Sequence, residues 1–242
     1  MVHTLPDYTT KYRMAKIFGQ IDSGELAARL QSPDKYDRRG NVAFMDNFEG
    51  GVLQWETGGG GTSPVSALTT ANARDGSQSC MLTAGAGVLG QAYIYKYLGL
   101  INPGRIGLET SFTLNPNTVY FTVAFWYYDG ARVHRGSMTY DLPNKKWFYL
   151  NSLGGDTDLL LNVTLRTANS PWHTCKLVLD TDTDEYVRFL YNNVETPMPG
   201  IGIYADTDLE EAMVYMGITH FSTHANVQSI YVDNVILTQN EL

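Results

Sequence analysis

From Val42 onward, polar and apolar residues alternate with a period of two, and clusters of turn-forming residues interrupt the pattern at short intervals. A period of two places every second side chain on the same face, as in a half-buried β-strand. The interrupting clusters include Gly58–Gly61, which we interpret as a flexible turn, Asn115–Asn117 and Pro197–Gly200. Many short strands without alternating helices indicate a sandwich or a barrel.

The pattern predicts an all-β, antiparallel fold between about residues 41 and 242. No sequence repeat of fixed period is visible, which argues against a propeller or a solenoid. The candidate strands cover residues 42–48, 52–57, 79–84, 90–98, 106–114, 119–128, 132–140, 146–150, 159–165, 173–180, 185–191, 212–221 and 228–238.

Composition narrows the class of protein. The chain has 242 residues, of which 43% are hydrophobic, and this is enough for a substantial core. Its net charge of −8 disfavours nucleic-acid binding, because an acidic surface repels phosphate. There is no apolar run long enough for a membrane span. The first residues lack a basic start followed by an apolar stretch, so we expect synthesis in the cytoplasm without a signal peptide.

Residues 1–40 differ from the rest of the chain. They carry seven basic and five acidic residues, whereas the remainder is strongly acidic. Apolar residues over 9–32 recur at helical spacing, which predicts two short amphipathic helices that need another surface to cover them. We therefore expect a docking arm at residues 1–40, with contacts made by Tyr12, Met14, Ile17, Phe18, Ile21, Leu26 and Leu30.

Four segments resemble strands of the concanavalin A-like (lectin and glucanase) jelly-roll sandwiches. They are Met45–Gly50 with Trp55, Leu108–Leu114, Trp172–Asp180 and Tyr231–Leu237. The resemblance spans about residues 41–238 and implies a jelly-roll β-sandwich behind the helical arm. An arm followed by a jelly roll also resembles bacteriophage virion accessory proteins, such as capsid decoration or tail proteins. These likenesses concern architecture and do not identify an activity.

Two acidic runs have the spacing that glycosidases of this fold place on one strand. One is Asp180, Asp182 and Asp184, which we assign to a hairpin turn. The other is Asp206, Asp208 and Glu210, which we assign to a loop before strand 212–221. Retaining hydrolysis requires two well-placed carboxyl groups on a rigid element. Neither run meets this requirement, so we do not expect an enzyme.

A structural calcium ion is the one cofactor that the sequence suggests. Asp46 and Glu49 near the first strand and Asp233 in the last strand are hard oxygen ligands that could meet where the terminal strands adjoin. The alternative is that these side chains cap strand ends. His220 and His224 have the spacing of a helical zinc site, but in a strand they would lie about 13 Å apart.

The two cysteines, Cys80 and Cys175, each lie in an apolar, strand-like run. Buried free thiols are the simpler interpretation, because cysteine packs as a small hydrophobic residue. A disulfide between them stays open as the alternative.

Aromatic residues alternate along two of the predicted strands. Tyr93, Tyr95 and Tyr97 share one face, as do Trp126 and Tyr128, with Tyr120 on the same side. If such a row is exposed, it could stack on sugar rings or dock a protein; if it faces the other sheet, it is core. The candidate ligand platform comprises Tyr93, Tyr95, Tyr97, Trp126 and Tyr128.

The sequence favours a non-catalytic structural protein, a phage virion accessory subunit held by its arm on a capsid or tail lattice. We expect its location to be the virion and its state to be homo-oligomeric. The alternative is a lectin-like carbohydrate-binding module, and the third hypothesis is a glycoside hydrolase.

Overall fold

The structure is a computed structural model, and it describes Asp37, residues 39–99 and residues 103–242. The predicted arm helices, with the docking residues Tyr12 to Leu30, lie outside this part of the chain. The described residues contain sixteen strands and no helix. In chain order the strands are β1 (Asn41–Asp46), β2 (Glu56–Thr62), β3 (Val65–Thr69), β4 (Ser79–Ala84), β5 (Ala86–Gly99), β6 (Arg105–Leu114), β7 (Thr118–Tyr128), β8 (Arg132–Asp141), β9 (Lys146–Leu150), β10 (Asp156–Leu160), β11 (Ala168–Asp180), β12 (Glu185–Tyr191), β13 (Val194–Gly202), β14 (Tyr204–Thr207), β15 (Met213–Ser222) and β16 (Gln228–Gln239).

The strands form two antiparallel sheets of eight strands each. The front sheet has the order β10-β9-β8-β7-β15-β5-β2, and β14 pairs with β8 beyond the end of β9. The back sheet has the order β13-β12-β11-β6-β16-β4-β3, and β1 pairs with β16. Because chain neighbours such as β5 and β6 lie in different sheets, the chain crosses repeatedly between the two layers. The predicted all-β, antiparallel sandwich is confirmed.

The core lies between the two sheets. Phe112 on β6 stacks on Phe121 on β7, with ring centroids 3.9 Å apart. Trp147 on β9 packs against Phe189 on β12 at 4.7 Å. These four rings are fully buried or nearly so. Alternation along each strand sends these rings inward, so the residues between them face outward.

Two predicted turns are strands in the structure. The glycines of Gly58–Gly61 lie in β2 and pair with β5, where a Cβ atom at Gly58 would overlap the ring of Tyr93. At Gly58, glycine is needed because the Tyr93 ring occupies the space of a side chain, whereas at Gly61 the backbone has a φ of +85°, which favours glycine. Pro197–Gly200 lies in β13, an edge strand, and edge strands tolerate prolines that lack an N–H donor.

Some strand boundaries were also wrong. The segment expected at residues 159–165 is β10 at Asp156–Leu160, and the one expected at 52–57 is β2 at Glu56–Thr62. Three strands were missed: β3, β13 and β14. The part of the chain that the structure describes contains no helix long and apolar enough to cross a membrane.

Candidate functional site

The outer face of the front sheet carries one row of large side chains in register across five strands. Pairing places Tyr215 opposite both Tyr97 and Trp126, and Arg135 opposite both Trp126 and Tyr204. Residues opposite one another in an antiparallel pair point to the same side of the sheet. We call this set, Tyr97, Tyr215, Trp126, Arg135 and Tyr204, the aromatic row.

Neighbouring side chains in the aromatic row are in contact. Trp126 stacks on Tyr215 with centroids 4.5 Å apart and 25° between the ring planes. Tyr97, which is 46% exposed, lies 5.4 Å from Tyr215. The Arg135 guanidinium lies 4.8 Å from the Trp126 ring and 5.6 Å from the Tyr204 ring, within the range of cation–π attraction. The row is therefore a continuous surface of π faces joined by one cation.

Two further tyrosines extend this surface along β5. Tyr93 and Tyr95 have ring centroids 6.0 Å apart, and Tyr95 stacks on Tyr215 at 5.7 Å. Tyr215 leans over Gly217, where a Cβ atom would come within 2.6 Å of the phenol oxygen. The glycine at position 217 thus leaves the room in which the Tyr215 ring lies.

Hydrogen bonds fix the polar ends of two of these rings. The Tyr95 hydroxyl donates to Glu56 Oε2 at 2.7 Å, and this bond raises the pKa of Tyr95. The Tyr204 hydroxyl donates to Asp206 Oδ2 at 2.9 Å, which raises the pKa of Tyr204 and lowers the pKa of Asp206. Burial raises the pKa of Tyr215 to about 12. All three phenols therefore keep their protons at neutral pH.

Arg135 also borders a cleft next to the aromatic row. The cleft has a volume of about 370 Å³ and is lined by Arg135, Leu150, Leu153, Gly154 and Tyr204. The nearest carboxylate oxygen, Asp208 Oδ2, is 3.9 Å from the Arg135 guanidinium, beyond hydrogen-bond length. The buried Arg135 Nε has no hydrogen-bond partner in the structure. The Arg135 side chain is 33% exposed, so its accessible N–H groups can donate to a ligand in the cleft.

The structure brings together four of the five residues predicted as a ligand platform. Tyr93, Tyr95, Tyr97 and Trp126 form one outward-facing cluster, whereas Tyr128 is only 6% exposed and presents little ring surface. Tyr215, Arg135 and Tyr204 were missed because they lie on other strands, and only the pairing register shows that they share the face.

The first acidic run lies at the predicted hairpin turn. β11 ends at Asp180 and β12 begins at Glu185, so Asp182 and Asp184 fall in the turn. Asp184 accepts a 2.5 Å hydrogen bond from His134 Nδ1 and an ion pair from Arg132 at 2.9 Å. This carboxylate ties the front sheet to a back-sheet turn.

The second acidic run begins on a strand that was not predicted. Asp206 lies in β14, where it holds the Tyr204 hydroxyl, and Asp208 and Glu210 lie in the loop that follows. The run therefore borders the aromatic row instead of forming a separate carboxylate cluster.

The three calcium-candidate carboxylates bind hydrogen-bond donors of the protein. Asp46 accepts from the Trp55 indole at 2.8 Å, Glu49 from the backbone N–H groups of Ser77 and Gln78, and Asp233 from that of Arg74 at 2.9 Å. Across residues 39–99 and 103–242, no three His, Cys, Asp or Glu side chains are grouped so that they could hold a metal ion. The calcium site stays a prediction.

The cysteine prediction is confirmed. Cys80 and Cys175 are both free and both buried. Burial raises the pKa of Cys80 to about 12 and the pKa of Cys175 well above its usual value, so both side chains remain neutral thiols.

Comparison with known proteins identifies the fold. No protein-family model matches the chain, and a search of curated proteins finds no relative by sequence. Solved structures do match. The structure is similar to that of a protein described as "Cellulose induced protein, Cip1", with a TM-score of 0.55, 16% identity, and coverage of 82% of this chain and 98% of that one. The chain has a concanavalin A-like jelly-roll fold.

Two other similar structures are those of enzymes. The endo-β-1,4-glucuronan lyase of the fungus Trichoderma reesei has a TM-score of 0.54 and 10% identity, over 83% of this chain and 96% of that one. The alginate lyase vAL-1 of a Chlorella virus has a TM-score of 0.51 and 10% identity, over 82% of this chain and 100% of that one. At these identities the likeness shows the fold alone.

The expectation that the chain is not an enzyme is therefore corrected. It rested on the position of two acidic runs, which tests only for a hydrolase that uses paired carboxylates. The two lyases show that this fold carries catalysis as well.

Proposed function

We propose that the front sheet binds a carbohydrate chain on the aromatic row. The observation that carries this proposal is the stack of Trp126 on Tyr215, flanked by Arg135 and held in register on central strands of the sheet. A binding site on paired strands is more rigid than one on loops, and rigid rings lose little entropy when a ligand binds.

The chemistry of the face suits a sugar better than a purely apolar ligand. A pyranose ring presents C–H groups on its flat face and hydroxyl groups at its edge. The aromatic row offers ring faces to the C–H groups, while Arg135 and the adjoining carboxylates of Glu56 and Asp206 offer polar partners to the hydroxyl groups. The alternation of apolar surface with a few fixed polar groups is typical of small-ligand sites.

The comparisons support this proposal more than the virion role. Two lyases that act on acidic polysaccharides, glucuronan and alginate, share the fold. Docking on a capsid or tail lattice stays a prediction, because it depends on residues outside the described part of the chain.

The test is affinity electrophoresis of the full chain in gels that contain a neutral β-1,4-glucan, β-1,4-glucuronan or alginate. We expect at least one polymer to slow the migration of the wild type. The Tyr215→Ala variant should migrate in that gel as fast as it does in a gel without polymer. The same mixtures are assayed for new chain ends, since lyases share the fold. Wild-type migration unchanged by every polymer would overturn the proposal.

The matched control is Val194→Ala, which changes an exposed apolar residue at the start of edge strand β13 in the back sheet. It should migrate as the wild type does in every gel. Thermal unfolding of both variants separates loss of binding from loss of fold.

A further inference from the structure

Three neighbouring strands of the front sheet repeat one outward pattern, in which two small side chains follow a large one. In two of these strands a second large side chain ends the pattern, and in β8 Asp141 ends it. The repeat occurs in β15, β7 and β8, which are adjacent in the sheet. Register aligns the small residues, so they form a shallow lane that begins at the aromatic row. The lane consists of Gly217, Ala124 and Ser137 in one line and Thr219, Thr122 and Thr139 in the next.

A second group of aromatic residues lies at the far end of this lane. Tyr120 meets Phe148 edge-on at 6.0 Å and Phe221 edge-on at 6.1 Å. We call these three residues the second cluster. With Leu89 and Asp156 they line a cleft of about 310 Å³, whose floor is Thr122 and Thr139. The cleft combines ring surface, hydroxyl groups and one carboxylate.

The spacing of the two aromatic groups sets the length of a ligand that could reach both. Trp126 and Tyr120 are six residues apart on β7, as are Tyr215 and Phe221 on β15. Six residues of antiparallel strand span roughly 20 Å. The Thr122 and Thr139 hydroxyls are 2.9 Å apart and retain further hydrogen-bonding capacity toward a ligand above them.

We propose that the second cluster is a distal subsite for the same carbohydrate chain, which lies parallel to β7 and β15 over the small-residue lane. This inference rests on the proposed function and adds a direction and a length to it. Beyond the Tyr215 ring, which lies over Gly217, the lane gives a chain a floor of small side chains, and the two aromatic groups stack on sugar rings at its ends. A ligand shorter than the lane reaches only one group.

The experiment measures Kd by calorimetry for size-graded oligomers of the β-1,4-glucan, the β-1,4-glucuronan and alginate, from the disaccharide upward. Wild-type affinity should rise with length until the oligomer spans roughly 20 Å. Phe221→Ala should raise the Kd for long oligomers about tenfold and leave the Kd for short oligomers within about twofold of the wild-type value. Phe148→Ala, on another strand, should reproduce this effect, and Val194→Ala should bind as the wild type does.

The outcomes separate the two proposals. If Trp126→Ala weakens the binding of oligomers of every length, whereas Phe221→Ala and Phe148→Ala weaken the binding of no oligomer, there is no distal subsite and the proposed function stands. If the two phenylalanine variants weaken short and long oligomers equally, the chain does not run along the strands. If the wild type binds no oligomer and no polymer, both proposals fail.

Discussion

The indole of Trp126 stacks on the phenol of Tyr215 from the neighbouring strand, with 4.5 Å between ring centroids. On its other neighbour, β8, the Arg135 guanidinium lies 4.8 Å from the same indole. Side chains from both adjacent strands thus hold Trp126 in place before any ligand arrives. Such pre-organisation reduces the entropy that binding would otherwise lose.

Gly217→Ala tests this arrangement without removing an aromatic ring. The new methyl group would come within 2.6 Å of the Tyr215 hydroxyl and 3.0 Å of its ring, so the ring must move from its place in the stack. Because Tyr215 is a side chain on the outer face, we expect a change in unfolding free energy below about 1 kcal/mol. Carbohydrate affinity should fall several-fold in calorimetry. Unchanged affinity together with an unchanged Trp126 environment would contradict the role of the stack.

Gly136→Ala should instead destabilise the sandwich. Gly136 on β8 faces the core, and a Cβ atom there would overlap the methyl groups of Leu179 on β11. Forcing an extra carbon into a packed core typically costs about 1–3 kcal/mol. Urea unfolding of Gly136→Ala, of Leu179→Ala and of the double variant should show strong non-additivity. Additive changes would mean that the two sites do not touch.

Asp233 should make stability fall as pH rises between about 4 and 6. Its side chain is fully buried, and burial raises the pKa of Asp233 from 3.8 to about 6, so the folded state binds the proton more tightly than the unfolded state. Stability from this group is fully present below the unfolded value and is lost as pH passes through the folded value. The shift corresponds to roughly 3 kcal/mol. Urea unfolding across this pH range should show a smaller decline in unfolding free energy for Asp233→Asn than for the wild type. If the two proteins lose stability in parallel, Asp233 is not the group responsible.

His220 should act with the opposite sign. Its ring is fully buried, with Nδ1 donating to the Leu82 carbonyl at 3.2 Å and Nε2 accepting from the Thr118 hydroxyl at 3.2 Å. Burial lowers the pKa of His220 from 6.5 to about 4, so the neutral ring is favoured and stability rises with pH over that window. His220→Gln should therefore lose less stability than the wild type when the pH falls from 6.5 to 4. An equal loss in the two proteins would show that His220 does not titrate in this way.

The fold could be predicted because alternation is a local signal. Along β7, the period of two places Phe121 and Phe125 on the face opposite to Tyr120 and Trp126, and the two phenylalanines are fully buried in the structure. The tetraglycine strand could not be predicted in this way. Gly58 is required by the Tyr93 ring of the paired strand β5, and a neighbour in space leaves no trace in the local pattern.

Only those residues of the site that lie on a single strand could be predicted from the sequence. Tyr93, Tyr95 and Tyr97 lie on one strand, so their spacing shows a shared face. Tyr215 is the single outward aromatic between Met213 and Thr219, and Arg135 has no aromatic neighbour on β8. Only the order of strands brings them beside Trp126, and the sequence does not encode that order locally.

The most direct test of the central claim is the affinity of Trp126 variants for the polymer that retards the wild type most. We expect Trp126→Ala to bind at least about tenfold more weakly, a loss of about 1.4 kcal/mol, because the largest ring of the row is gone. The affinity of Trp126→Phe should lie between those of Trp126→Ala and the wild type, and the affinity of Val194→Ala should match the wild type. Thermal unfolding checks that all four proteins are folded. A folded Trp126→Ala protein that binds the polymer as tightly as the wild type would contradict the account.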